Sequence, residues 1–441
     1  MEKADRYCEQ IINGSEGSDR EPPGKEECMA EAQNRLLNGR ALDLTDAQGF
    51  VCGRMLAAYG VDVIKIEQPG GDLSRLKAPY IGESVDPDKS IYWNTFNADK
   101  RDVTLDLTKE EGRRIFLDMV KSADYVIESY APGYLESVGL GYSALKEVNP
   151  KIVLTSITPF GQNTTRKNWR GGELICSALG ATMDNIGDPD RAPLLEPADT
   201  NTYYANICAV TASIMAHYHA TITGEGDHVD VSIEECAANR NPQGQLSWSF
   251  NQKLIGRLGP FNKFGSAKVR TIWECKDGFV NWTMFAGPMG AKPNEALSNW
   301  MTEDGLYNPL AEITYWPDFD LSALSEEKLR SWEDAMAVFF KGHTKEEFRI
   351  EGAKRRLAAT VLDGPDDRYK NHHLAARFFW EDIDCPELGD KKIALGRYFV
   401  QANDVDTYVH AKAPFAGQDN EEIFGREFGL DCEALRERGV I

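Results

Sequence analysis

The apolar positions fall into short blocks separated by turn residues, and the spacing inside each block predicts an element. Ala41 to Leu44 is a run suited to a buried strand, Gly53 to Tyr59 a helix, and Val61 to Ile66 a second strand ending at Glu67. Two strands joined by a helix make a β-α-β unit, so a parallel sheet is expected. Thr108 to Ala123 is amphipathic, with Ile115, Phe116 and Met119 on one face. Strands then follow in ADYVIESY and KIVLTSITPFGQ, with a helix over Tyr134 to Val148 between them. The run from Ala205 to Ala220 is Ala-rich and almost uncharged, as a buried helix is; Gly224 and Gly226 end it, and His228 to Ile233 alternates like a strand. The whole predicts an α/β, Rossmann-like domain. The loops Glu67–Arg75, Asn97–Arg101, Glu128–Gly133 and Thr158–Gln162 are expected on one edge of its sheet, where ligands bind in such folds.

The character changes near residue 240. IWECKDGFVNWTMF predicts a hairpin turning at Lys276-Asp277-Gly278, and helical patterns follow in SEEKLRSWEDAMAVFFKG and TKEEFRIEGAKRRLAA. The expected layout is therefore a polar extension (1–38), a large α/β domain (39–235), a linker (236–255), a smaller α+β domain (256–362) and a return linker (363–412). Two C-terminal helices (413–441) complete it.

Composition narrows the function. The chain has 441 residues, is 42% hydrophobic and carries a formal net charge of −21. That charge disfavours nucleic acid and anionic membrane as partners. Its nine cysteines form no CxxC pair, which points to reduced thiols and a cytoplasmic setting. No run is long enough to span a bilayer. The first turn, TDAQG, is not the GxGxxG of dinucleotide folds, and no metal-ligand spacing occurs. No tightly bound cofactor or metal is therefore expected.

Carboxylate chemistry remains. Asp199 directly precedes the long apolar helix. Either it caps that helix, favoured by the dipole, or it is a nucleophile held by helix N–H groups. Spacing does not separate the two. Arg75 and Lys77 are cations on the loop after Glu67; Lys100 and Arg101 are placed to meet phosphates, and a solvated turn accounts for those two at least as well.

Several stretches, in order, resemble the class III CoA-transferases: LDLTDAQGFVCGRMLAAYGVDVIKIEQPGGDLSR, FNADKRDVTLDL, ADYVIESYAPGYLESVGLGY, VNPKIVLTSITPFGQ, ADTNTYY, TGEGDHVDVSIEE and KAPFAGQDNEEIFGREFGL. The resemblance implies that coenzyme A is a co-substrate, moved from an acyl-CoA to a carboxylic acid. It implies that Asp199 is the nucleophile, with Glu173 beside it. Ala47 and Gln48 would meet the pantetheine, and Arg75, Lys100 and Arg101 the nucleotide end. It further implies a large domain built from both chain ends and a homodimer of interlocked subunits. Two departures bear on the pocket. No GGGGQ run is present, so a flexible glycine lid over a very small acid is not expected, and the acid is expected to be an organic or aromatic one larger than formate or oxalate. Tyr203 stands where formyl-CoA transferase has a glycine, and would fill the pocket. A racemase of the same fold needs a His in the Arg170–Gly180 stretch, and there is none. An isomerase and a non-catalytic, CoA-binding subunit of a hetero-oligomer are the alternatives.

Overall fold

The computed structural model describes residues 35–82, 84–385, 392–397, 400 and 410–441. Most of the polar extension expected over residues 1–38 lies outside the described residues.

Six strands form one parallel sheet: β1 (Arg40–Leu44), β2 (Asp62–Glu67), β3 (Arg101–Thr104), β4 (Tyr125–Glu128), β5 (Val153–Thr158) and β6 (His228–Ser232). Their order is β3-β2-β1-β4-β5-β6, so the chain reverses its direction of travel between β1 and β4. Side chains alternate across the sheet, and β1 displays the pattern directly. Ala41 joins a cluster containing Phe50, Trp93, Ala205 and Val210; Leu42 and Leu44 join the opposite one, with Phe116, Leu145 and Ile423. Helices α1 (Phe50–Ala58), α2 (Ile91–Asn97) and α6 (Thr200–Thr223) cover the first face. Helices α3 (Glu110–Val120) and α4 (Tyr142–Val148) cover the second. A sheet buried on both faces gives the near-continuous apolar strands read from the sequence.

Three expectations are corrected. β3 and α2 were not foreseen: RDVT is short and polar at its start, as an edge strand is. The helix expected over Tyr134 to Val148 is two short pieces, Tyr134–Ser137 and α4, because Gly139 sits at φ +77 between them. The Asn97–Arg101 loop precedes β3, so it lies at the amino-terminal edge of the parallel sheet, opposite the other three loops. Arg101 accordingly pairs with Asp62 at the start of β2, at 2.6 Å, and with Glu427.

Beyond β6 the stretch read as a linker is mostly helical: α7 (Ile233–Asn239) and α8 (Pro242–Asn251). β7 (Phe261–Phe264) then pairs with β8 (Ala267–Arg270), and a third hydrophobic cluster is built on the expected hairpin of β9 (Ile272–Cys275) and β10 (Gly278–Asn281). Two helices, α9 (Gly287–Glu303) and α10 (Glu326–Gly342), contribute Trp300, Trp332, Phe339 and Phe340 to it. At the end of the chain, Asp419 and Asn420 accept the backbone N–H groups of Asp102 and Thr104, and Asp106 N–H donates to Val440. The C-terminal segment thus binds the edge strand β3.

Candidate active site

The carboxyl ends of β1, β2 and β4 frame a cleft of about 290 Å³ at the reversal point of the sheet, lined by Leu44, Asp46, Glu67, Gln68, Ser129 and Tyr130. Ligands of such folds bind there because two diverging loops leave a crevice. Asp46 closes one side: it accepts from Gln48 N–H at 2.9 Å and from Ser129 Oγ at 2.7 Å, joining the loops after β1 and β4.

The loop after β1 is also tied to α6. Asn206, fully buried, donates to the Gln48 carbonyl at 2.7 Å and accepts from Cys52 N–H at 2.9 Å. Tyr92 OH donates to the Ala47 carbonyl at 3.2 Å. Ala47 and Gln48 are therefore fixed against the helix that Asp199 precedes.

At the start of α6 two carboxylates divide the work between them. Asp199 occupies the N-cap position but makes no side-chain capping bond. Glu173, the first residue of α5 (Glu173–Leu179), caps α6 instead. It accepts from Asn201 N–H at 3.0 Å and Thr202 N–H at 2.8 Å, and also from Asn201 Nδ2, Thr202 Oγ1 and Ser177 Oγ. Burial pushes the Glu173 carboxyl up, but these donors outweigh it and leave it below the usual glutamate range. The capping role open to Asp199 is thus taken by a residue from another helix. Its consequence is that the Asp199 carboxylate is left out of the helix end.

Asp199 points outward, its side chain 43% exposed, and pairs with Lys77 Nζ at 3.1 Å. Ala198 and Asp199 both hold left-handed backbone, at φ +67 and +50. That region is uncommon for residues with a Cβ and costs on the order of 1–3 kcal/mol, a strain concentrated at functional sites. The ammonium of Lys77 lies 3.8 Å from the Tyr92 ring centroid. Tyr203, one turn into α6, stands edge-on to Phe96 with centroids 5.2 Å apart.

The remaining expected cations are engaged elsewhere. Arg75 is buried, donates from Nε to Glu67 at 2.9 Å and from Nη2 to the Pro414 carbonyl at 3.1 Å, and lies 3.8 Å from the Trp93 ring centroid. Burial raises both neighbouring carboxyls; Arg75 brings Glu67 down to about 2, whereas the adjacent Glu67 leaves Asp102 well above its ordinary value. Lys100 and Asp43 are both fully buried and meet at 2.7 Å. Gly53 permits this pair: a Cβ there would meet Asp43 Oδ2 at 2.3 Å. The structure therefore brings Asp199, Glu173, Ala47 and Gln48 together through α6, and does not bring Arg101 to them. Lys77 had no role assigned from sequence. Its separation from Asp199 in the chain hides the pair.

Among the described residues no helix is long and apolar enough to cross a membrane, and no cluster of three or more His, Cys, Asp or Glu has metal-holding geometry.

The sequence matches the model of CoA-transferase family III over residues 38–420. It is 30% identical to succinyl-CoA:(R)-benzylsuccinate CoA-transferase subunit BbsE of Thauera aromatica, over 81% of this chain and 89% of that one. It is 28% identical to formyl-CoA:oxalate CoA-transferase of Streptomyces coelicolor, over 91% of this chain and 97% of the other. A CAIB/BAIF family protein from Brucella suis has the same fold, with a TM-score of 0.76 at 23% identity, covering 89% of this chain and all of that one. The chain belongs to CoA-transferase family III and is an acyl-CoA:carboxylate CoA-transferase.

Proposed function

We propose that Asp199 is the nucleophile of this transferase and that the reaction runs through three covalent intermediates, a thioester between two anhydrides. The Asp199 carboxylate attacks the thioester carbon of the acyl-CoA donor, the C–S bond breaks, and a mixed anhydride and free CoA thiolate result. The thiolate attacks the Asp199 carbonyl carbon, releasing the donor acid and leaving an aspartyl-CoA thioester. The acceptor carboxylate then attacks the same carbon, and the thiolate returns to the acceptor's acyl carbon. Storing the activated acyl group splits a hard exchange into steps of small net cost. The observation that carries this reading is the division at the start of α6: Glu173 takes the helix N–H groups, so Asp199 has no capping duty and faces outward.

On this reading Glu173 is a positioning residue that fixes the strained turn before α6. Ala47 and Gln48 lie beside the pantetheine arm, which runs from the cleft between β1 and β4. Arg75 and Lys100 act from behind, holding the Glu67–Lys77 loop and the start of α1, and Arg101 ties the amino-terminal edge to the C-terminal segment. The acceptor is an organic or aromatic acid larger than oxalate. The missing glycine-rich run supports that size, as do relatives named for benzylsuccinate and mesaconate. An interlocked homodimer accounts for the uncovered apolar face of α6, where Met215, Tyr218 and Ile222 are each about two-thirds exposed, and for exposed Phe250 and Leu254 nearby in sequence.

The test is to mix the protein with a panel of acyl-CoAs and quench with hydroxylamine. A hydroxamate on Asp199 is expected with at least one donor. Coenzyme A binding without an adduct on any residue would sink the covalent route.

A further inference from the structure

Lys77 differs from the other expected cations. Arg75 and Lys100 are buried against Glu67 and Asp43, which take no part in the reaction proposed above. Lys77 is 42% exposed on its side chain, and its carboxylate partner is Asp199 itself. On the reading above, Asp199 is the one group whose charge alternates. Attack on the donor forms a bond from its Oδ to the acyl carbon, and the electron pair of the C–S bond leaves on the CoA sulfur. The side chain is then a neutral anhydride, and after the thiolate returns to its carbonyl carbon, a neutral thioester. In both states Lys77 has lost the negative charge it faced, while the Tyr92 ring at 3.8 Å still holds the ammonium in place. Tyr92 is itself anchored through its hydroxyl to the Ala47 carbonyl.

The whole chain carries a net charge of −21, so an acid bearing two carboxylates is repelled at long range and needs a local cation to be held. We propose that Lys77 is a specificity-determining residue: in the acylated enzyme it takes the second carboxylate of the acceptor, and the enzyme thereby selects dicarboxylic over monocarboxylic acids. The inference rests on Asp199 as nucleophile. It also gives turnover an order. When the thiolate attacks the acceptor's acyl carbon, the bridging oxygen stays with Asp199, whose carboxylate regains its charge and reclaims Lys77. The remaining carboxylate of the product loses its partner at the moment the new thioester must leave.

The experiment uses the full chain with the acyl-CoA that gives the Asp199 hydroxamate. Acceptors come in matched pairs: succinate with butyrate, and benzylsuccinate with 4-phenylbutyrate. In the unaltered protein at least one dicarboxylate is expected to exceed its monocarboxylate in kcat/KM at least tenfold. Lys77→Met brings that ratio to near one by raising the dicarboxylate's KM, and Lys77→Arg keeps it. Loss of both acids in equal proportion in Lys77→Met would mean a purely structural role and overturn the proposal. So would a monocarboxylate preference in the unaltered protein, or no dicarboxylate accepted while the hydroxamate forms. Absence of the hydroxamate overturns the Asp199 reading instead, so the two failures are distinct.

Discussion

The carboxyl edge of the parallel sheet and the hairpin core solve burial in opposite ways. Around the sheet, charged and polar side chains are taken inside and paired: Asp43 with Lys100, Glu67 with Arg75, Glu173 with the first turn of α6. Around β9 and β10 the interior is aromatic, with Trp273 stacked on Phe340 at 4.8 Å and Trp332 on Phe319 at 6.1 Å. Buried ion pairs add little net stability, because desolvation offsets attraction, but they fix geometry. Aromatic burial adds stability and fixes few polar atoms. The first region carries the chemistry, and the second holds the chain together.

The sharpest contrast comes from removing the nucleophile. Asp199→Ala is expected to lower CoA transfer at least about a thousandfold, as loss of an attacking group does. Because Asp199 caps nothing, the unfolding midpoint should barely move; transfer within tenfold of the parent would remove Asp199 from the chemistry. Next come the two interiors. Lys100→Met leaves Asp43 buried and unpaired, and about 3–5 kcal/mol of stability is expected to be lost. Trp332→Ala removes a large buried ring, for a similar loss of about 3–5 kcal/mol. Denaturant titration with kcat on the folded fraction separates them: Lys100→Met lowers kcat as well, whereas Trp332→Ala leaves it within about twofold. Equal kcat losses would erase the distinction between the regions.

Glu128 gives a pH test. It sits at the end of β4 and is buried, which raises its carboxyl to about 7. The folded protein thus holds this proton more tightly than the unfolded chain. Its contribution is fully present below the ordinary glutamate value of 4.5 and is lost as pH rises to about 7. Glu128→Gln should flatten stability across that window and stabilise the protein at pH 8, by an amount on the order of 2–3 kcal/mol. The smallest effect is expected from Glu173→Gln. Weakening the cap should cost about 1–2 kcal/mol, and kcat should fall about tenfold through a loosened Asp199 turn. A stability loss with kcat unchanged would make Glu173 a cap and nothing more.

What the sequence revealed follows the range of the interaction involved. Strands β1, β2, β4, β5 and β6 and the long helix α6 are written in local apolar runs, and each is legible. β3 is four residues at an edge, stabilised by Asp419 and Asn420 from the far end of the chain, and its own residues do not announce it. Asp199 was visible as a candidate because it precedes a long helix. Its two local readings stayed open because the residue that bears on them, Glu173, lies on another helix. Lys77 was invisible for the same reason. Arg75 and Lys100 looked like loop cations; their burial depends on Glu67, Trp93 and Asp43, which come together only in the fold.

One isotope experiment addresses Asp199 most directly. An acceptor acid labelled with 18O in its carboxylate is carried through a single turnover, and the peptide containing Asp199 is weighed. The bridging oxygen of the first anhydride leaves with the donor acid and that of the second stays with the enzyme, so the Asp199 peptide should carry one 18O in place of one 16O, and the peptide containing Glu173 none. Turnover with no label in Asp199, or with the label in Glu173, would contradict the mechanism.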